Sequence, residues 1–96
     1  MGEPLKPEEA KDQIRRLLSE GRIVYSIPHA RQRLQERNIS NQDCENVLRG
    51  GKVEKAHREG SKWRHKVTTS RMEVVVQFLP YDRLLIVTAW RTGRQR

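Results

Sequence analysis

Cysteine and aromatic residues are scarce in this sequence. Cys44 is the only cysteine, which excludes an intramolecular disulfide and is compatible with a reducing compartment. Its place beside Val47 and Leu48 in an apolar stripe favours a small buried hydrophobe over a reactive thiol. Aromatic residues make up 5% and hydrophobic residues 34% of the 96 positions. We therefore expect a single small domain whose core is built from a few well-placed apolar stripes.

Long apolar runs and cofactor motifs are also missing. No stretch approaches the ~20 apolar residues of a membrane-spanning helix, and the segment Met1-Gly2-Glu3-Pro4 has no signal-peptide core, so we expect a cytoplasmic protein. The three histidines and Cys44 have no zinc-ligand spacing, and the acidic residues are not paired for magnesium. Gly50-Gly51 is better explained as a helix stop than as a phosphate loop. We expect neither a metal nor another cofactor.

Negative charge is in short supply. Twenty Lys and Arg residues stand against twelve Asp and Glu residues, which gives a net charge of +8. In so small a protein this excess favours a polyanionic partner, either nucleic acid or an acidic protein, over an anionic membrane. Charge alone does not choose among these three kinds of partner.

Helix signals occupy the first half of the chain. Pro7 is followed by acidic residues and an apolar stripe that ends before Gly21, and Pro28 suits the start of a second helix. Ser40 and Asp43 have the spacing of a capping box. These signals predict three helices, over residues 7–20, 29–37 and 41–49.

Strand signals follow from Lys52 onward, where the hydrophobic period changes to two. They predict four strands, over about residues 52–58, 62–69, 72–79 and 84–91. The short turns between these segments require antiparallel neighbours. In the last strand, alternation places Leu85, Val87 and Ala89 on one face. It places Ile86, Thr88 and Trp90 on the other.

The expected fold class is α+β. N-terminal helices precede a four-stranded antiparallel sheet, and the two layers form a sandwich. One domain spans residues 1–96, with flexible tails at 1–6 and 92–96.

A short cationic helix is the first candidate site. At about 100° per residue, His29, Arg33 and Arg37 fall within a quarter-turn of each other. Imidazole exchanges protons near neutral pH, and guanidinium groups bind phosphate bidentately. Cleavage of RNA without metal would use His29 as acid or base and the two arginines on the scissile phosphate. The alternative is a solvated helix face in which Glu36 pairs with Arg33.

The second predicted strand carries a basic rail. Alternation places Lys62, Arg64 and Lys66 on one face, with Trp63 nearby. Cations that follow a phosphate backbone, with an aromatic ring for base stacking, are typical of single-stranded nucleic-acid sites. Alternatively, Trp63 is a core residue and the cations protect a sheet edge from aggregation.

The closing strand adds Thr88 and Arg91. Thr88 could hydrogen-bond a phosphate or orient His29, although β-propensity alone explains most threonines in strands. Arg91 begins a basic tail and is a further candidate for binding nucleic acid.

A known family shares several of these motifs. The sequence contains the run His29-Ala30-Arg31-x-Arg33-x-x-x-Arg37-x-Ile39-Ser40 and the closing strand Ile86-Val87-Thr88-Ala89-Trp90. It resembles an uncharacterised family of small bacterial and phage proteins with an HARxRxxxRxIS signature. That family is similar to the RelE, BrnT and MqsR toxins and to the colicin-type transfer-RNA nucleases. The resemblance implies a RelE- or barnase-like sandwich and a metal-independent endoribonuclease, held inactive by an acidic antitoxin.

Three functions therefore stay open: an RNA-cleaving enzyme, a non-catalytic nucleic-acid-binding module, and a domain that binds an acidic protein partner. For the enzyme, the expected catalytic residues are His29, Arg33, Arg37 and Thr88. The expected nucleic-acid-binding residues are Arg31, Lys62, Trp63, Arg64, Lys66 and Arg91.

Overall fold

The computed structural model describes residues 4–92. Its helices are α1 (Pro7–Ser19), α2 (His29–Glu36) and α3 (Asn41–Gly50). Its strands are β1 (Ile23–Tyr25), β2 (Lys52–Val53), β3 (His57–Glu59), β4 (Lys62–Thr68), β5 (Met72–Leu79) and β6 (Arg83–Arg91). The predicted combination of N-terminal helices and a sheet is confirmed, with three helices and an open sheet of six strands.

Local capping signals define where α1 and α3 begin. The Ser40 N–H donates to Asp43 Oδ2 at 3.0 Å, and the Asp43 N–H donates to Ser40 Oγ at 3.0 Å, which is the predicted capping box. In α1, the Lys6 N–H donates to Glu9 Oε1 at 3.0 Å. Pro7 occupies the first turn, where its missing N–H is not needed. Both helices therefore begin at their predicted residues.

Within the described residues 4–92, the sheet has six strands rather than the predicted four. Their order is β1-β6-β5-β4-β2, and β3 also pairs with β4. The segment predicted as one strand over 52–58 is interrupted at residues 54–56, so it forms two short strands that both run antiparallel to β4. The additional strand β1 runs parallel to β6. Because β6 lies at the other end of the chain, no local pattern indicates this pairing.

A β-bulge in β6 changes which of its residues face the core. Val87 is the extra residue of the bulge, and Thr88, which follows it, pairs with Val75. Ile86 and Ala89 are consequently both buried in the core. The prediction that Ala89 shares a face with Val87, and Thr88 with Ile86, is wrong because it assumed unbroken alternation along the strand.

Helices α1 and α3 cover one face of the sheet. The core between them contains Ala10, Ile14, Leu17, Cys44, Val47, Leu48, Val67, Val74, Val76, Leu84, Ile86 and Ala89. Helix α2 packs beside β6 through the buried residues Ala30 and Leu34. We call the side of the sheet away from α1 and α3 the outer face. Within residues 4–92, no helix is long and apolar enough to cross a membrane.

The predicted flexible tails fall mostly outside the described residues, which exclude 1–3 and 93–96. At the inner ends of these tails, the Leu5 carbonyl lies 3.0 Å from His65 Nε2, and the Thr92 N–H donates to the Arg71 carbonyl at 2.8 Å. Leu5 and Thr92 are thus tied to the rest of the domain.

Candidate functional site

The outer face of the sheet carries a hollow of about 560 Å³. Apolar surface is provided by Val75, Val87 and Trp90. The polar lining combines cations, carboxylates, one imidazole and one hydroxyl, from Glu54, Lys55, His57, Glu59, Arg64, Lys66 and Thr88. Ligand pockets are usually about 300–1,000 Å³ in volume. The hollow therefore has the size and the mixed lining of a site for an anionic ligand with an apolar part.

Strand register places one row of side chains across this hollow. Lys66 on β4 lies directly opposite Val75 on β5, and Val75 lies directly opposite Thr88 on β6. Directly opposite residues point to the same face, with Cβ atoms about 5 Å apart. The row runs from an ammonium group across an apolar residue to a hydroxyl group, and all three lie on the outer face.

Two of the three cations of the predicted basic rail on β4, Arg64 and Lys66, line the hollow, whereas Lys62 does not. Arg64 makes an ion pair with Glu59 and donates through Nε to Gln77 Oε1 at 3.2 Å. Lys66 Nζ lies 3.7 Å from Glu73 Oε1. Partly exposed ion pairs of this kind contribute little and are screened by salt. An anionic ligand can therefore compete with the two carboxylates for the rail.

Arg37, at the end of α2, contacts β6 next to the hollow, although it is not one of the lining residues. Its Nη1 donates to the Ala89 carbonyl at 2.7 Å and lies 3.5 Å from Thr88 Oγ1. Both contacts use Nη1, and a guanidinium group has five N–H donors in a planar fork. The remaining donors of Arg37 are therefore not needed to hold it in place. The structure thus brings together two of the predicted catalytic residues, Arg37 and Thr88.

His29 and Arg33 lie farther along the same stripe of α2. Both are exposed, and they precede Arg37 by two turns and one turn. At 1.5 Å per residue, they lie about 12 Å and about 6 Å from Arg37 along the helix axis. None of these three residues of the stripe lines the hollow, and Arg37 is connected to it through its contact with Thr88. Of these three residues of α2, Arg37 is therefore the one that contacts Thr88 on the sheet.

Four predicted binding residues lie away from the hollow: Arg31, Lys62, Trp63 and Arg91. Arg31 lines a separate groove with Ser40, between α2 and α3. Arg91 Nη2 donates to the Asn38 carbonyl at 2.7 Å and so holds the turn after α2. Trp63 lies on the opposite side of β4 from Arg64, as predicted from alternation, and the Arg58 guanidinium stands 5.6 Å from its ring centre.

The model of a domain of unknown function, DUF4258, matches residues 27–91. The chain belongs to this family. The matched span contains α2, α3 and all the antiparallel strands, whereas α1 and β1 lie outside it. The expected membership of an uncharacterised family is thus confirmed. No curated protein and no solved structure matches the chain.

His57 and Trp90 are residues of the DUF4258 hollow that were not among the predicted site residues. His57 lies directly opposite Arg64, because the turn at Gly60-Ser61 pairs Glu59 with Lys62. The pairing of His57 with Arg64 could have been predicted from the sequence, since a two-residue turn fixes the register of a hairpin. Trp90 faces the hollow because of the bulge in β6, and it provides the aromatic surface beside the rail that was expected from Trp63.

Three other ionisable groups, His65, Cys44 and Tyr25, are buried or partly buried and do not line the hollow. His65 is buried, with Nε2 3.0 Å from the Leu5 carbonyl and its ring edge-on to Phe78. Burial raises the pKa of the Cys44 thiol to about 11, which leaves it protonated and unreactive at neutral pH. Burial also raises the pKa of Tyr25. Within residues 4–92, no group of three His, Cys, Asp or Glu side chains is arranged to hold a metal ion.

Proposed function

We propose that this DUF4258 domain is a metal-independent endoribonuclease whose substrate binds in the hollow on the outer face. The observation that carries the proposal is the 3.5 Å approach of Arg37 Nη1 to Thr88 Oγ1, because Thr88 lines the same hollow as Arg64 and Lys66. Guanidinium, ammonium and hydroxyl groups are the side chains that bind phosphate oxygens. Arg64, Lys66 and Thr88 line one concave surface and Arg37 approaches Thr88, which supports a site for a phosphodiester.

The apolar lining favours a single-stranded substrate. Trp90 and Val87 lie beside the cations, so a base can stack on the indole while the backbone follows Lys66 and Arg64. Stacking on an aromatic ring contributes about 1–3 kcal/mol per base in sites for single strands. A duplex keeps its bases stacked on one another and would leave this apolar surface without a partner.

The proposed reaction is an internal transesterification. The 2′-hydroxyl loses its proton to a histidine, the 2′-oxygen bonds to phosphorus, and the bond from phosphorus to the 5′-oxygen breaks. The 5′-oxygen then takes up a proton, which leaves a 2′,3′-cyclic phosphate and a 5′-hydroxyl. Arg37 stabilises the charge that develops on the phosphate, and Thr88 donates to one of its oxygens. The sequence-based assignment gives the proton transfer to His29.

A toxin-like role is part of the same proposal. Helices followed by an antiparallel sheet are the plan expected from the resemblance to the RelE, BrnT and MqsR toxins. A cationic outer face also fits an acidic antitoxin that would cover Arg64 and Lys66. The second candidate function is non-catalytic binding of RNA, and the position of His29 outside the hollow favours it.

The test is incubation of the purified protein with total RNA in EDTA, followed by mapping of the new ends. We expect cyclic-phosphate ends without added metal. Thr88→Val keeps the shape of the side chain and removes its hydroxyl, and Arg37→Ala removes the guanidinium. We expect Arg37→Ala to lower the rate about 100-fold or more, and circular dichroism checks that the variants fold.

The matched control is Arg49→Gln, which removes one positive charge from the exposed side of α3, in the other layer. It should cut RNA at the wild-type rate. Binding of RNA that weakens steeply with salt, with no new ends formed, would establish the binding module and exclude the nuclease.

A further inference from the structure

We infer that His57, rather than His29, is the catalytic residue that takes the proton of the RNA 2′-hydroxyl. The inference rests on the proposed function and names the residue that performs its central step. All three histidines lie within residues 4–92, and His57 lines the hollow whereas His29 does not. His65 is excluded because it is buried and its Nε2 contacts the Leu5 carbonyl.

The β3–β4 hairpin fixes the direction of His57. Its register pairs His57 with Arg64, so the two side chains point to the same face, with Cβ atoms about 5 Å apart. Gly60 adopts φ +63° in the turn, a conformation that glycine takes up readily. His57 is exposed on this face, so its imidazole is accessible to a ligand in the hollow.

The charged groups around His57 come from three segments. Arg64 and Lys66 face it from β4, Glu59 lies two residues along on β3, and Glu54 and Lys55 come from the link between β2 and β3. Arg64 is the nearest of these by register and pairs with Glu59. An imidazole beside a phosphate-binding guanidinium is therefore placed next to the group on which the reaction occurs.

His57 and Thr88 stand on opposite sides of the hollow. Their strands, β3 and β6, are separated by β4 and β5. Three strand spacings of about 4.8 Å, together with the two-residue offset from Arg64 to Lys66 along β4, put the two backbones about 16 Å apart. Both side chains line the hollow from these positions. A phosphate group with one hydrogen bond on either side spans about 8 Å, and the ribose that carries the 2′-hydroxyl extends from the phosphate toward His57.

The step assigned to His57 follows from this placement. A neutral ring nitrogen takes the 2′-hydroxyl proton while the 2′-oxygen bonds to phosphorus. The bond to the 5′-oxygen breaks, and the leaving oxygen takes a proton from water. Arg37 and Thr88 hold the phosphate from the opposite wall, and Arg64 holds it from the same wall as His57.

The test compares His57→Gln, His29→Gln and Arg58→Gln in two assays. Cleavage is measured on a fluorescent single-stranded RNA in EDTA, and binding is measured on the same sequence with 2′-O-methyl groups, which cannot react. The control residue Arg58 is adjacent to His57, but it faces the other side of the sheet, over Trp63. We expect His57→Gln to cut about 100-fold more slowly or worse, with its affinity for the methylated strand unchanged. Arg58→Gln should cut and bind like the wild type.

Each other outcome overturns the inference in a recognisable way. If the wild type cuts and His57→Gln cuts equally fast, His57 is not the base and the proposed function still stands. A loss of cleavage confined to His29→Gln would restore the assignment made from the sequence. Weaker binding by His57→Gln that accounts for all of its lost cleavage would make it a binding residue. A wild type that forms no cyclic-phosphate ends would remove both the inference and the proposed function.

Discussion

Gly51 offers a sharp test of how tightly α3 packs on the sheet. Its backbone angles, φ −79° and ψ 169°, can be adopted by any residue. Glycine is required at this position because there is no room for a Cβ atom. A Cβ at this position would lie 2.7 Å from the Val47 carbonyl oxygen and 2.8 Å from the Thr68 carbonyl oxygen. Neither backbone atom can rotate away as a side chain can. Overpacking costs typically about 1–3 kcal/mol, and we expect Gly51→Ala to lower the free energy of unfolding by about 3 kcal/mol.

The neighbouring residue provides the matched control. A Cβ at Gly50 would meet nothing within 4 Å, and Gly50 is helical. Gly50→Ala should therefore stabilise the protein by about 0.5–1 kcal/mol. Urea denaturation measures both values. In thermal unfolding, Gly51→Ala should melt roughly 15 °C below the wild type. If the two variants are equally stable, the close approach of α3 to β4 at Gly51 does not exist.

Two further outcomes test burial and charge. Because burial raises the pKa of Cys44 to about 11, iodoacetamide at pH 8 should alkylate the native thiol more than 100-fold more slowly than the thiol unfolded in urea. Mass spectrometry measures the alkylation rates. Similar rates in the native and unfolded states would show that the thiol is not protected. Lys66→Gln should reduce the slope of log affinity for single-stranded RNA against log salt by about 0.7, because one phosphate contact is lost. The same reduction in Arg49→Gln would show that the slope reports net charge and not the rail.

The helices could be predicted because their signals are local. Pro7 and the Ser40–Asp43 capping box lie within one turn of the helix starts that they determine. The long strands β4, β5 and β6 were predicted for the same reason, from alternation and from the turns between them. Strand β1 was not, because its partner β6 lies near the other end of the chain. Three residues carry too little pattern to indicate a strand without that partner.

The site was predicted in part. The rail of Arg64 and Lys66 follows from a period of two, and the stripe that ends in Arg37 follows from helical geometry. His57 was missed because a three-residue strand in a charged segment has no hydrophobic pattern of its own. Its place in the hollow comes from the hairpin register alone.

The bulge at Val87 explains why the closing strand contributes to the hollow. With unbroken alternation, Thr88 would share the face of Ile86 and would point into the core beneath α1 and α3. The extra residue returns Ala89 to the core and turns Thr88 to the outer face, opposite Val75, where Arg37 reaches it. Bulges often redirect side chains beside active sites. The contact that carries the proposed function therefore depends on a local irregularity of the backbone, which no regular pattern in the sequence could have indicated.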